Sequence, residues 1–157
     1  EGPVDILLFA AMHGDEGEST VVLSEALSRV PPGQIRNPVI FTCNPDGLLR
    51  GTRANARGVD LNRNWPTSNW LADPVGYNNR EGSARDVALS PGQQPASEAE
   101  TRALLACIEQ LRPRTVISIH SPLACIEDPQ KRPLSAWIAN LLFLTIGIVL
   151  FRKLANK

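Results

Sequence analysis

A chain of 157 residues with 43% apolar content is enough for one ordinary globular domain. Its 16 basic and 16 acidic side chains cancel, so no net charge points to nucleic acid or to an acidic partner. Cys43, Cys107 and Cys125 form no C-x-x-C pair, which excludes a disulfide framework and a cysteine zinc site; unpaired thiols favour a reducing compartment, and the expected location is cytoplasmic.

The chain begins at Glu1 and enters an apolar run almost at once, so the expectation is that its natural N-terminus lies upstream, with room for a signal peptide. The run from Val4 to Ala11 predicts a buried strand of a parallel or mixed sheet. Met12-His13-Gly14-Asp15-Glu16-Gly17 follows, where ligand sites of open α/β sheets lie, at the carboxyl end of a strand. His13 and Glu16 can reach one zinc ion if the chain turns between them, and Gly14 permits a turn. The same residues also read as a strand-end histidine and a glutamate placed in a first helical turn by the helix dipole.

Val22, Leu23, Ala26, Leu27 and Val30 recur at helical spacing and predict a helix from about Gly17 to Arg29, stopped by Pro31-Pro32-Gly33. Pro38 to Cys43 reads as a second buried strand, and Asn44-Pro45-Asp46-Gly47 as a turn. From Leu48 to Gln94 there is little periodicity, which predicts a long loop. Within it the run from Gly51 to Trp65 places arginines among asparagines. That pattern suits fork-like binding of a carboxylate, or else a solvated surface loop. Ser97-Glu98-Ala99-Glu100 predicts a capping box that opens a helix to about Leu111, with Leu104, Ile108 and Leu111 on one face and Pro113 behind it. Thr115 to Ile119 predicts a third buried strand, ending at His120.

The chain has two histidines, and both terminate apolar strands. If those strands are parallel neighbours, His13 and His120 meet at one edge of the sheet. With Glu16 they make a His2Glu set, which suits catalytic zinc and leaves a position open for water.

Taken together, His13-Gly14-Asp15-Glu16, Asn44-Pro45-Asp46-Gly47, the run from Arg53 to Trp65, Ser118-Ile119-His120-Ser121-Pro122 and the segment from Pro122 to Pro129 resemble the M14-type zinc carboxypeptidases over residues 4–143. The resemblance implies an α/β fold, a mixed sheet flanked by helices, left incomplete at the C-terminal side. It implies one zinc ion held by His13, Glu16 and His120, with Arg53 steadying the carbonyl oxygen and its oxyanion and Asn62 and Arg63 holding a terminal carboxylate. The branch of the family that these motifs match most closely cleaves the γ-D-glutamyl–diaminopimelate bond of murein peptides in cell-wall (peptidoglycan) recycling. The implied partner is therefore a murein tripeptide or a related peptide with a free carboxylate.

Two features depart from the family pattern. The family carries its general-base glutamate on a late strand, and Glu127, the only glutamate after His120, does not occupy that position, so no residue is assigned as general base. Residues 134–151 carry no charge and then meet Arg152 and Lys153. They read as a family helix joined to an aberrant end in preference to a membrane anchor, although the length is just enough to span. The expected division is a partial zinc-carboxypeptidase-like domain over residues 1–143 and an apolar, basic tail over 144–157. Rival readings are a zinc-binding remnant without turnover and a membrane-tethered module that binds a peptide carboxylate.

Overall fold

The computed structural model describes residues 4–79, 85–121 and 133. The fold described below lies in one compact unit, Glu1–Pro122. The expected boundary at residue 143, the uncharged stretch 134–151, the segment from Pro122 to Pro129 and Glu127 lie outside the described residues. Among the described residues, no helix is long and apolar enough to cross a membrane.

The first apolar run forms β1 (Ile6–Ala10), followed by α1 (Gly17–Ser28), β2 (Val39–Ile40), α2 (Pro45–Arg50), a 3₁₀ turn (Leu61–Arg63), β3 (Val75–Asn79), β4 (Arg85–Leu89), α3 (Ala99–Leu111) and β5 (Thr115–Ile119). β1 is the middle of a parallel three-stranded sheet in the order β2-β1-β5. Its register sets Leu8 against Val39 and Ile117, and Ala10 against Ile119. A strand paired on both sides has no solvated edge, which is why its sequence is apolar almost throughout.

Alternation along β1 sorts its side chains onto two faces. Leu7 and Phe9 join Met12, Cys43, Leu61 and Leu104 in the core, with Cys107, Ile108 and Leu111 of α3 packed against them. Leu8 faces the other way and lines a shallow groove with Leu27, Val30 and Val39. Helices therefore cover both faces of the sheet, and the α/β class and the parallel pairing of the two strands that lead into the histidines are as expected.

Several expectations are corrected. On α1 the buried positions are Ser19 and Leu23, while Val22 stands 60% exposed, so the inward face is narrower than the apolar spacing indicates. Pro38 to Cys43 forms only two residues of regular strand, and Phe41 is exposed. Asn44 does not simply turn the chain; it caps α2, its side chain accepting from the Gly47 N–H at 2.9 Å, with Pro45 in the first turn. The long loop contains an antiparallel ribbon, β3 against β4, with Tyr77 opposite Val87. The capping box does not form: Glu98 takes the N-cap position without a side-chain cap bond, and Ser97 donates to the Glu98 carboxylate at 2.7 Å. β5 is half-buried, with Val116 and Ser118 exposed, because only β1 pairs with it among the described residues.

Candidate metal centre

The residues after β1 are held by contacts that few chains could tolerate. Gly14 lies against α2 so closely that a Cβ built on it would stand 1.9 Å from the Gly47 carbonyl carbon. Its φ is not in the left-handed region, so close approach rather than turn geometry requires glycine here. Ala11 does adopt a positive φ of 46°, and its N–H leaves the ladder to donate to the Ser19 hydroxyl at 3.0 Å. That hydroxyl donates in turn to the Glu16 carbonyl at 2.6 Å. Ser19 thus clamps the loop that carries His13 and Glu16. Asn44, fully buried, supports the same loop by donating to the carbonyls of Met12 and Arg53.

Glu16 occupies the N-cap position of α1 without capping it. Its carboxylate is turned toward the histidines: Oε1 lies 2.7 Å from His13 Nδ1 and Oε2 lies 2.9 Å from His120 Nδ1. Glu16 thus stands at the helix N-terminus, as the alternative reading has it, and its carboxylate also meets both histidines. The two Nδ1 atoms are 3.2 Å apart. Each imidazole is aimed by a partner on its far nitrogen, His13 Nε2 by Asp60 Oδ1 at 3.2 Å and His120 Nε2 by the Ser118 hydroxyl at 2.8 Å.

This donor set fits zinc. One donor atom from each of His13, Glu16 and His120 can be chosen so that all lie within 4.8 Å of one another. Tetrahedral zinc with ligands at about 2.0–2.1 Å places neighbouring donors roughly 3.3 Å apart, close to the separation of the two Nδ1 atoms. A carboxylate behind a ligating imidazole fixes its orientation and raises its basicity. Asp60 is placed to do that for His13, being 1% exposed and held by the Asn62 N–H at 2.9 Å and Arg53 Nε at 3.2 Å. Replacing Asp60 with asparagine should weaken zinc binding about 10- to 100-fold; chelator competition on the purified variant measures it, and unchanged affinity would remove Asp60 from this role.

The electrostatics follow from the same contacts. Burial alone pushes the His13 imidazole down, but the hydrogen bonds to Asp60 and Glu16 outweigh it, and its pKa stands above the ordinary value. Burial pushes the Glu16 carboxyl up, and the bonds from His120 and His13 reverse that and hold it at about 2. Asp60 is likewise held below the carboxylate range despite its burial, chiefly by His13. The sign for stability follows. In the metal-free chain a raised His13 pKa contributes stability below the unfolded value, and that contribution is lost as pH rises through the folded value. Zinc needs the imidazole unprotonated, so zinc affinity changes in the opposite direction. It should rise with pH up to the raised His13 value, by about tenfold per unit for one displaced proton, and level off above it. A zinc titration series from pH 5.5 to 8 checks this, and a flat profile would contradict it.

Arg53 sits beside this cluster. Its Nη1 lies 3.4 Å from Glu16 Oε1, and its guanidinium lies over the Tyr77 ring, 4.6 Å from the centroid. Asn62 and Arg63 follow Asp60 on the 3₁₀ turn that Asp60 caps. Among the described residues, neither side chain is hydrogen-bonded to the histidines. Arg63 is exposed, and its guanidinium bonds only the Asn62 carbonyl, at 3.3 Å, among the described residues. The polar run is not a solvated loop. Asn55 donates to Glu98 at 2.9 Å and accepts from the Val59 N–H at 3.0 Å. Asn64, fully buried, donates to the Pro91 carbonyl and accepts from the Glu98 N–H. Sequence reasoning passed over Ser19, Asn44, Asn64 and Asp60. For Asp60 a signal existed: it is the one acid among three arginines in the run Gly51 to Trp65.

Comparison with known proteins places this geometry among relatives. The model of the zinc carboxypeptidase family matches residues 36–126. Murein peptide amidase A of Escherichia coli strain K12 is 47% identical over 135 residues, which is 85% of this chain and 56% of that protein. Murein peptide amidase A of Vibrio campbellii is 40% identical over 141 residues, 89% of this chain and 57% of that one. The crystal structure of the murein-tripeptide amidase MpaA from Escherichia coli O157 superposes with a TM-score of 0.81 at 46% identity, covering 88% of this chain and 59% of that chain. Carboxypeptidase A from Helicoverpa armigera, at a TM-score of 0.55, 21% identity, and coverage of 78% of this chain and 34% of its own, shares the fold. The chain thus spans a little over half the length of the amidases it matches.

Proposed function

The chain belongs to the zinc carboxypeptidase family, and we propose that it builds the zinc site of an amidase acting on murein peptides. His13 and His120 would bind the metal through Nδ1 and Glu16 through its carboxylate. The observation that carries this reading is the convergence of those three groups, each histidine turned inward by its own partner. Zinc held there supplies a Lewis acid that polarises a carbonyl and lowers the pKa of a water.

The remaining roles belong to arginines and an asparagine. Arg53 holds a positive charge next to Glu16, where negative charge developing on a carbonyl oxygen would be stabilised. Asn62 and Arg63 would take the substrate's terminal carboxylate, which fixes the bond to be cut relative to the metal. Arg63 suits that role because its planar donor fork is exposed. The names of the 40–47% identical relatives support a murein peptide as substrate, and the γ-D-glutamyl–diaminopimelate bond is the bond we assign.

A second reading has its own support. Glu16 and Asp60 are already committed to His13, His120 and Arg53, so neither is free to take a proton, and we assign no general base. The chain would then hold zinc without turnover. One experiment separates the two: the purified chain with one equivalent of zinc is given L-Ala-γ-D-Glu-diaminopimelate. Release of diaminopimelate, lost in His13→Ala, supports the amidase. In Arg63→Ala, KM should rise roughly tenfold for the free carboxylate, in the range of charge-assisted hydrogen bonds, and stay level for a carboxamide analogue. No release with zinc bound favours the zinc-binding reading.

A further inference from the structure

Arg53 is a long side chain beside two buried carboxylates and is bonded to both. Nε reaches Asp60 Oδ2 at 3.2 Å and Nη1 reaches Glu16 Oε1 at 3.4 Å, both long for charge-assisted bonds. Nη2 has no hydrogen-bond partner among the described residues. A guanidinium so placed can slide toward either carboxylate, and doing so would withdraw its remaining donors and compete for Glu16.

What stops it is a ring. The Tyr77 side chain stands under the guanidinium at 4.6 Å, a distance at which the face of the ring attracts the cation. The ring is fixed at its other end, where the hydroxyl donates to Asp15 Oδ2 at 2.5 Å, inside the loop that carries His13 and Glu16. Asp15 Oδ1 is buried and has no partner among the described residues, so within them the Tyr77 bond is what anchors that carboxylate. The backbone of the ribbon is tied to the same place. Its strand β4 runs into Ser90, which bridges Val59, accepts from the Asp60 N–H at 2.9 Å and donates to the Gly58 carbonyl. One ribbon therefore sets the height of the Tyr77 ring and the position of Asp60.

We propose that Tyr77 is the positioning residue for Arg53, holding the guanidinium flat beside Glu16 and Asp60 so that its unspent N–H donors stay available to an oxyanion. The inference rests on the zinc-amidase reading for the purpose of those donors, but not for the positioning itself.

Two measurements on the full chain test it. The first needs no metal: hydrogen exchange of the Arg53 Nε–H, read by nitrogen-15 NMR and assigned with Arg53→Lys. Tyr77→Leu should speed exchange roughly tenfold and Tyr77→Phe, which keeps the ring and loses only the Asp15 bond, by less. Exchange unchanged in Tyr77→Leu overturns the proposal. The second uses the zinc-loaded chain and a phosphinic pseudopeptide with a free carboxylate, compared with the matching amide peptide. Tyr77→Leu should weaken the phosphinate about tenfold and leave the amide within about twofold, both read at saturating zinc, and the effect should vanish in an Arg53→Ala background. An equal loss in that background means Tyr77 does not act through Arg53 and overturns the proposal. Failure of the wild-type chain to bind zinc would instead sink the metal reading, while the exchange measurement still decides what Tyr77 does.

Discussion

A His120→Ala chain should lose stoichiometric zinc while keeping its fold. His120 is the cleaner of the two histidines to remove. Its side chain is 31% exposed at the end of a half-buried strand, whereas that of His13 is 2% exposed and holds Asp60 in place. Truncation at 120 takes one nitrogen out of the donor set and leaves Glu16 Oε2 with the Ser121 N–H at 3.2 Å. Losing a partner behind a ligand weakens metal sites by about 10- to 100-fold, so losing a ligand outright should exceed about 100-fold. Zinc content after dialysis against a weak chelator measures this, with the thermal melt of the metal-free chain as control. One equivalent of zinc retained in the variant would refute the ligand set.

Gly14→Ala should cost more stability than any surface change. The added methyl would meet the Gly47 carbonyl carbon at 1.9 Å and the Leu48 nitrogen at 2.3 Å, and both are backbone atoms. Neither side has room to yield. Gly47 is itself pressed against Asn44, and the Gly14 N–H bonds the Arg53 carbonyl. Overpacking typically costs about 1–3 kcal/mol, and a clash between two backbones belongs at the upper end, roughly 3 kcal/mol or a melting point lower by roughly 10 °C. The loop forced away from α2 carries His13, so zinc affinity should fall with stability. Gly76→Ala is the control, because a Cβ there meets nothing within 4 Å and its φ is unexceptional. If both variants melt within about 2 °C of wild type, the close approach does not constrain this loop.

How much was legible depended on whether a residue's role was local. The strands ending at His13 and His120 are apolar runs of the right length, and α1 and α3 carry helical periodicity and clear stops; those signals are properties of short windows, and the elements formed within a few residues of their expected limits. The ribbon was missed because Val75 to Leu89 has neither strict alternation nor a two-residue turn, and it gains its place from Ser90 pairing with Gly58 and Asp60. The capping box was misread for a related reason. Ser97 and Glu100 have the right chemistry for the box, but Asn64 donates to the Ser97 hydroxyl and Asn55 to the Glu100 carboxylate, and polar groups go to the donors that reach them.

The sequence by itself determined the α/β class, the two strand-end histidines and the residue types of a zinc site, because hydrophobic period and ligand chemistry are written one residue at a time. Only the tertiary structure decided that β1 and β5 are adjacent and parallel, which brings together two imidazoles 107 positions apart. It alone decided that Gly14 serves contact with α2 rather than a turn, that Asp60 stands behind His13, and that Tyr77 lies under Arg53. Each of those depends on distance between segments that no local pattern connects, and the cost of burying a polar group unpaired is what selects the partner once the segments meet.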